Sequence, residues 1–239
     1  MKKSTLIIIA FSVFILIGML TLFIYSETHE SSGSPAKQKE VTELPHFSVI
    51  VAEQGSRLLA IRSGKANRLI RLYSKNERAE KAAYCIKNDT LYLKGKYDPD
   101  EYQRNLIIEC TSICTLLDDG NNINLSNLKA DSLTIRSNSG YIILGSQYEN
   151  RTGSLACAIG QLTFEGERNA HLSLSNTRID RLQIRLNESN ATLHNGNFIK
   201  QTKAVLRDHS QFNQWDDELN QLEFTADRTC QYSLKKDKN

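Results

Sequence analysis

Twelve residues of this chain occur twice at a separation of 49. The segment Leu125-Ser-Asn-Leu-Lys-Ala-Asp-Ser-Leu-Thr-Ile-Arg136 returns as Leu174-Ser-Asn-Thr-Arg-Ile-Asp-Arg-Leu-Gln-Ile-Arg185, with seven of twelve positions identical. The same offset maps Asn138 onto Asn187 and Leu144 onto Leu193. Leu162-Thr-Phe164 lies between the copies, and Ala204-Val-Leu206 and Leu222-Glu-Phe224 follow them. A strand motif therefore returns at intervals of about 20 residues, with one insertion near 145–158. That period is too short for a propeller blade and lacks the apolar pattern of helical repeats. The expected fold is mainly β, a solenoid of parallel β-helix coils. Leu133, Ile135, Leu162, Phe164, Leu182, Ile184, Leu222 and Phe224 would share one core column, each rung covering what its neighbours expose.

Upstream of the repeats, apolar residues come in short alternating bursts: Phe47–Val51, Leu58–Ile61, Leu69–Tyr73, Thr90–Leu93 and Leu106–Ile108. These read as strands, and only Glu77–Ile86 tolerates a helix. The chain has three prolines, none beyond Pro99, so turns fall to Gly, Asn, Ser and Asp.

Thr5–Tyr25 is an uncharged run long enough for one helical crossing of a bilayer. It exceeds a usual secretory h-region and ends without a small-x-small cleavage site, so an uncleaved signal anchor is favoured over a cleaved leader. Lys2 and Lys3 precede the run, while Glu27 and Glu30 follow it. The positive-inside bias then makes residues 1–4 a cytoplasmic tip and residues 5–25 a transmembrane helix. The expected location is the cytoplasmic (inner) membrane, single-pass, with residues 26–239 extracytoplasmic. Residues 26–43, poor in apolar groups and carrying Ser31, Ser32, Gly33, Ser34 and Pro35, read as a flexible linker, and 44–239 as the folded domain. The first 25 residues hold two lysines and no acid, leaving a formal charge of +1 on the remainder. A nucleic-acid partner recruited by bulk charge is not expected.

Three features resemble a known family. They are the opening strand His46-Phe-Ser-Val-Ile50, the hairpin-like Lys87-Asn-Asp-Thr-Leu-Tyr-Leu93, and L-x-I-x-x-(N/S)-x-(S/G) units at Leu133–Gly140 and Leu182–Ser189. Together they resemble the auto-transporter adhesin, head GIN domain family of Bacteroidetes envelope proteins, over most of residues 44–239. The resemblance implies a right-handed β-helix on the outer side of a membrane. It brings no established catalytic residues.

Asp131 and Asp180 hold equivalent repeat positions, and two rungs would separate them by roughly 10 Å. That is close to the roughly 6.5–9.5 Å carboxylate spacing of inverting glycosidases. Turn residues that bond their own backbone explain the repetition more simply. Asn127 with Asn176, and Asn138 with Asn187, would stack as structural amide ladders. The sequons at Asn88, Asn124, Asn150, Asn187 and Asn190 would be incidental under the bacterial origin that the resemblance implies.

Cys85, Cys110, Cys114, Cys157 and Cys230 contain no C-x-x-C pair and read as buried free thiols. Cys110 and Cys114 could pair only if the strand breaks at Thr111–Ser112. His29, His46, His171, His194 and His209 form no ligand motif, and the acidic stretches Asp98–Glu101, Asp118–Asp119 and Asp216–Glu218 lack the pattern of a calcium loop. No phosphate loop or nucleophile elbow is present, so no catalytic, metal or cofactor residue is assigned.

The expected function is a membrane-anchored, non-enzymatic envelope module, adhesin-like, binding a surface polysaccharide or protein partner through a strand face. A polysaccharide hydrolase or lyase with Asp131 and Asp180 in its groove is the alternative, and a self-assembling envelope scaffold a further one.

Overall fold

The computed structural model describes residues 38–53, 58–73, 84–94, 106–145, 157–215 and 221–234, together with Ile15 and Met19. The chain divides into two compact units, Met1–Gln38 with Ser74–Glu77, and Lys39–Tyr73 with Arg78–Asn239. Only Ile15, Met19 and Gln38 of the first are described. The expected transmembrane segment 5–25 otherwise lies outside the described residues. Among those residues no helix is long and apolar enough to cross a membrane.

The second unit is built of strands in two sheets. The first has ten strands in the order β1 (Gln38–Glu43), β4 (Arg68–Tyr73), β7 (Leu106–Cys110), β3 (Leu58–Ser63), β9 (Asn121–Ser126), β11 (Gly140–Leu144), β13 (His171–Leu174), β15 (Asn190–Leu193), β17 (Gln211–Gln214) and β19 (Gln231–Leu234). The second has nine, in the order β18 (Leu222–Ala226), β16 (Phe198–Arg207), β14 (Thr177–Asn187), β12 (Cys157–Glu167), β10 (Leu128–Ser137), β8 (Thr115–Asp118), β2 (Val49–Ala52), β6 (Thr90–Leu93) and β5 (Tyr84–Lys87). β1 lies within the stretch 26–43 read as linker. The helix-tolerant stretch 77–86 contributes Tyr84–Ile86 to a strand, and its remainder is outside the described residues.

This corrects the expected right-handed parallel β-helix. The chain forms two open, mixed sheets, with β4 antiparallel to β7 and β5 antiparallel to β6. Strand order also departs from chain order, since β3 sits between β7 and β9, and β2 between β6 and β8. The cause of one reversal is local. Asn88 and Asp89 both adopt left-handed backbone, φ 49° and 61°, the requirement of a two-residue type I′ hairpin, and Asp89 also accepts hydrogen bonds from Ser48 and His46.

From β8 onward successive strands alternate between the sheets and pair in parallel. Leu133 aligns with Leu162 and Leu182, and Ile135 with Phe164 and Ile184. Thr202 and Ala204 of β16 continue these rows to Leu222 and Phe224. The first sheet contributes Ile142, Leu172, Ala191 and Phe212 from matching positions. All of these except Thr202, Leu222 and Phe224 belong to one buried apolar cluster, and Phe224 packs against it partly buried. Each large buried aliphatic side chain removed from water contributes about 1.5–3 kcal/mol, enough in sum to hold two faces whose backbone order is long-range.

Several corner residues are polar, buried and hydrogen-bonded. Buried Ser189 donates from Oγ to the Gly166 carbonyl at 2.8 Å, and its N–H donates to Ser210 Oγ at 3.3 Å. Buried Asn197 accepts from the Thr177 N–H and hydroxyl and donates to the Leu174 and His194 carbonyls.

Candidate functional site

The repeated aspartates do not occupy turns. Asp131 lies within β10 and Asp180 within β14. Pairing of β10 with β12 runs from Ala130↔Ile159 to Ser132↔Gln161 and passes over Asp131 and Gly160. Pairing of β12 with β14 passes over Gly160 and Asp180, and that of β14 with β16 over Asp180 and Lys200. The ladder is thus interrupted along one line across four strands. A groove of about 650 Å³ borders this line, lined among others by Ser48, Cys114, Lys129, Asp131, Arg178 and Asp180. Gly160 is required there because a Cβ would stand 2.6 Å from the Asp131 carbonyl oxygen.

Both carboxylates reach this groove, two strand spacings or about 10 Å apart. Asp180 is held in its charged form. Lys200 Nζ lies 2.7 Å from Asp180 Oδ1. That hydrogen bond, followed by the charges of Lys200, Arg178 and Arg181, holds the Asp180 carboxyl below its ordinary range. A glycosidase general acid needs the opposite shift, so Asp180 does not fit that one role.

Two of the recurring asparagines hold corners of left-handed backbone. Asn127 and Asn176 have φ of 49° and 52°, a left-handed conformation that Asn tolerates. Asn127 is exposed and Asn176 buried beside Gly196, whose absent Cβ would meet Asn176 Oδ1 at 2.3 Å. At Asn138 and Asn187, both exposed, the hydrogen bonds run through the backbone N–H.

All five cysteines are free, with Cys110 and Cys157 buried, Cys230 intermediate, and Cys85 and Cys114 exposed. β7 does end at Cys110, yet the two nearby thiols donate separately, Cys110 to the Arg62 carbonyl and Cys114 to that of Ser48. Burial pushes the Cys110 thiol up to about 11. Asp118, taken as a solvated turn, is buried and accepts from Asn121 and Ser137. The stretches 98–101 and 216–218 are outside the described residues. Among the described residues no three His, Cys, Asp or Glu side chains are grouped as metal ligands.

Ion pairs cross the second sheet and, on the first, the strands β1, β4, β7 and β3, where Arg62 pairs with Glu109 and Arg71 with Glu40. On the second, Glu165 of β12 bridges Arg136 of β10 at 2.7 Å and Arg185 of β14 at 2.6 Å, and Lys203 pairs with Glu223 at 2.7 Å. On the first, from β9 to β19, one row across the strands reads Asn122, Tyr141, His171, Asn190, Gln211 and Gln231, and the next reads Asn124, Ile143, Ser173, Thr192, Asn213 and Ser233. None is Asp, Glu, Lys or Arg. Ser173 and Thr192 are buried within this face, whereas Tyr141, Gln211 and Gln231 are exposed.

Two aromatic pairs mark the uncharged face. Tyr141 and His171 stack with centroids 4.5 Å apart and planes 5° apart, and His194 meets Trp215 edge-on at 5.2 Å and 82°. Burial lowers the pKa of both histidines, with the His194 charge adding to the effect at His171. Both imidazoles are therefore mainly neutral near pH 7. Sequence reasoning passed over these residues because each pair joins positions about 20 or 30 apart; the available signal was the spacing of Trp215 at i+2 from Asn213 and i+4 from Gln211, on the outward side of β17.

No family model matches the chain, and no curated protein matches it in sequence. Solved structures do match in fold. A crystal structure of a putative adhesin from Bacteroides fragilis superposes with a TM-score of 0.56 at 12% identity, covering 83% of this chain and 97% of that one. A second, a putative adhesin from Parabacteroides merdae, gives 0.51 at 11% identity, with 84% and 98% covered. At these identities the likeness is one of fold, so the chain is similar in architecture to proteins described as adhesins of two Bacteroidetes species.

Proposed function

We propose that this protein is a non-enzymatic, adhesin-like binding module of the cell envelope, which docks a surface polymer or a protein partner on the outer face of the first sheet. One observation carries the reading. Six adjacent strands, β9 to β19, present only uncharged side chains in the two rows described, while the opposite sheet and the strands β1, β4, β7 and β3 of the same sheet are crossed by ion pairs. A broad regular face of amides, hydroxyls and aromatics suits an extended partner better than a small molecule, which calls for an enclosed pocket. The adhesin description of the similar structures supports the same direction.

The test uses purified full-length protein, envelope polysaccharides and envelope proteins, with binding and release of new reducing ends measured together. Saturable binding without release is expected. Sustained release would favour the hydrolase alternative, for which the Asp131–Asp180 groove is the place to look.

Location forms part of the proposal. Residues 26–239 face the outer side of the cytoplasmic membrane, a placement supported by Lys2 and Lys3 before the uncharged run and Glu27 and Glu30 after it. Protease added to spheroplasts should digest the domain; its full protection would overturn the placement.

A further inference from the structure

The two aromatic pairs occupy opposite ends of the strands on the proposed face. Tyr141 and His171 align at the N-terminal ends of β11 and β13, whereas His194 and Trp215 follow the C-terminal ends of β15 and β17. Four residues of strand rise and two strand spacings put the pairs roughly 16 Å apart on a diagonal. Asn190, half-exposed, lies between them in the face, and Asn213 is half-exposed beside Trp215. At the far end Trp215 is 52% exposed and borders a hollow of about 370 Å³ completed by Asn195, Gln214 and Ser233.

We propose that this face binds a neutral polysaccharide, laid diagonally from the Tyr141–His171 pair to Trp215. Aromatic rings offer an apolar surface to the C–H face of a sugar ring, and the half-exposed amides of Asn190 and Asn213 between them exchange hydrogen bonds with its hydroxyls. The lack of formal charge decides among polymers. Nucleic acids, acidic polysaccharides and anionic lipids are held through Lys and Arg, which the rows from β9 to β19 do not supply. The separation of the pairs sets a length requirement, because one sugar unit cannot reach both.

This inference rests on the binding-face reading, and the experiment separates the two. Full-length protein is titrated with mannan, laminarin and dextran as neutral polymers, with hexasaccharides and monosaccharides derived from them, and with polygalacturonate as the acidic polymer. At least one neutral polymer and its hexasaccharide should bind, with little salt dependence, and the monosaccharide at least tenfold more weakly. Trp215→Ala and Tyr141→Ala should each weaken binding about tenfold or more, Trp215→Phe should retain most of it, and Arg185→Ala on the opposite sheet should change nothing. Thermal melts confirm that each variant is folded. Binding of polygalacturonate alone, lost in the Tyr141 and Trp215 variants, would overturn the neutral ligand and leave the face standing. Binding of any polymer unchanged by both variants would overturn the face as well. Failure of every neutral polymer to bind would overturn the inference.

Discussion

Asp131 and Gly160 face each other across β10 and β12 without joining the backbone ladder, and the Asp131 carbonyl stands 2.6 Å from the place a Cβ on Gly160 would take. This close approach marks the line along which β10, β12, β14 and β16 interrupt their pairing.

Gly160→Ala should therefore destabilise the protein by about 1–3 kcal/mol, since the obstructing atom is backbone and cannot rotate away. Urea or thermal unfolding measures this. An unchanged midpoint would show that the strands separate freely along that line.

Ile184 sits between Phe164 and Ala204 with 1% of its surface exposed. Ile184→Ala should cost about 2–5 kcal/mol by leaving a cavity beside a neighbour too small to fill it. Chemical denaturation is the check, and a loss well under the Ile→Val range would indicate that the two sheets close over the site.

The double change Asp131→Asn and Asp180→Asn should leave binding intact and shift the melting midpoint little, because the Asp180–Lys200 pair is half-exposed on both sides and screened by solvent. Titration and melting of the double variant test this. Abolition of a glycan-cleaving activity with folding preserved would instead establish the groove as catalytic.

Burial holds the Asp118 carboxyl above its ordinary 3.8, against the hydrogen bonds from Asn121 and Ser137 that favour the charged form. The folded state then binds this proton more tightly than the unfolded one. Its stabilising effect is complete below pH 3.8 and is lost as pH rises through the folded value. The stability of wild type relative to Asp118→Asn should accordingly fall between about pH 4 and neutrality. Melting curves of both proteins across that range read the difference directly. A constant difference would mean that Asp118 titrates alike in both states.

Strand positions were legible in the chain itself. Alternation marked β2, β3, β4, β6 and β7 to within a few residues, and the period near 20 reappears as the register Leu133↔Leu162↔Leu182. These follow from local chemistry: side chains on a strand point alternately to two faces, and a repeated apolar pair must meet an apolar neighbour. The recurrence of Asn127 and Asn176 was equally visible, but its reason, a left-handed backbone at both, belongs to the corner geometry. What the tertiary structure alone decided was partnership. Reversal of β4 on β7, insertion of β2 and β3 out of chain order, the ladder gap at Gly160 and the union of Tyr141 with His171 and of His194 with Trp215 all join residues distant in sequence. The free energy that selects such pairings comes from burying one shared core, a property of the assembled sheets that no short segment carries.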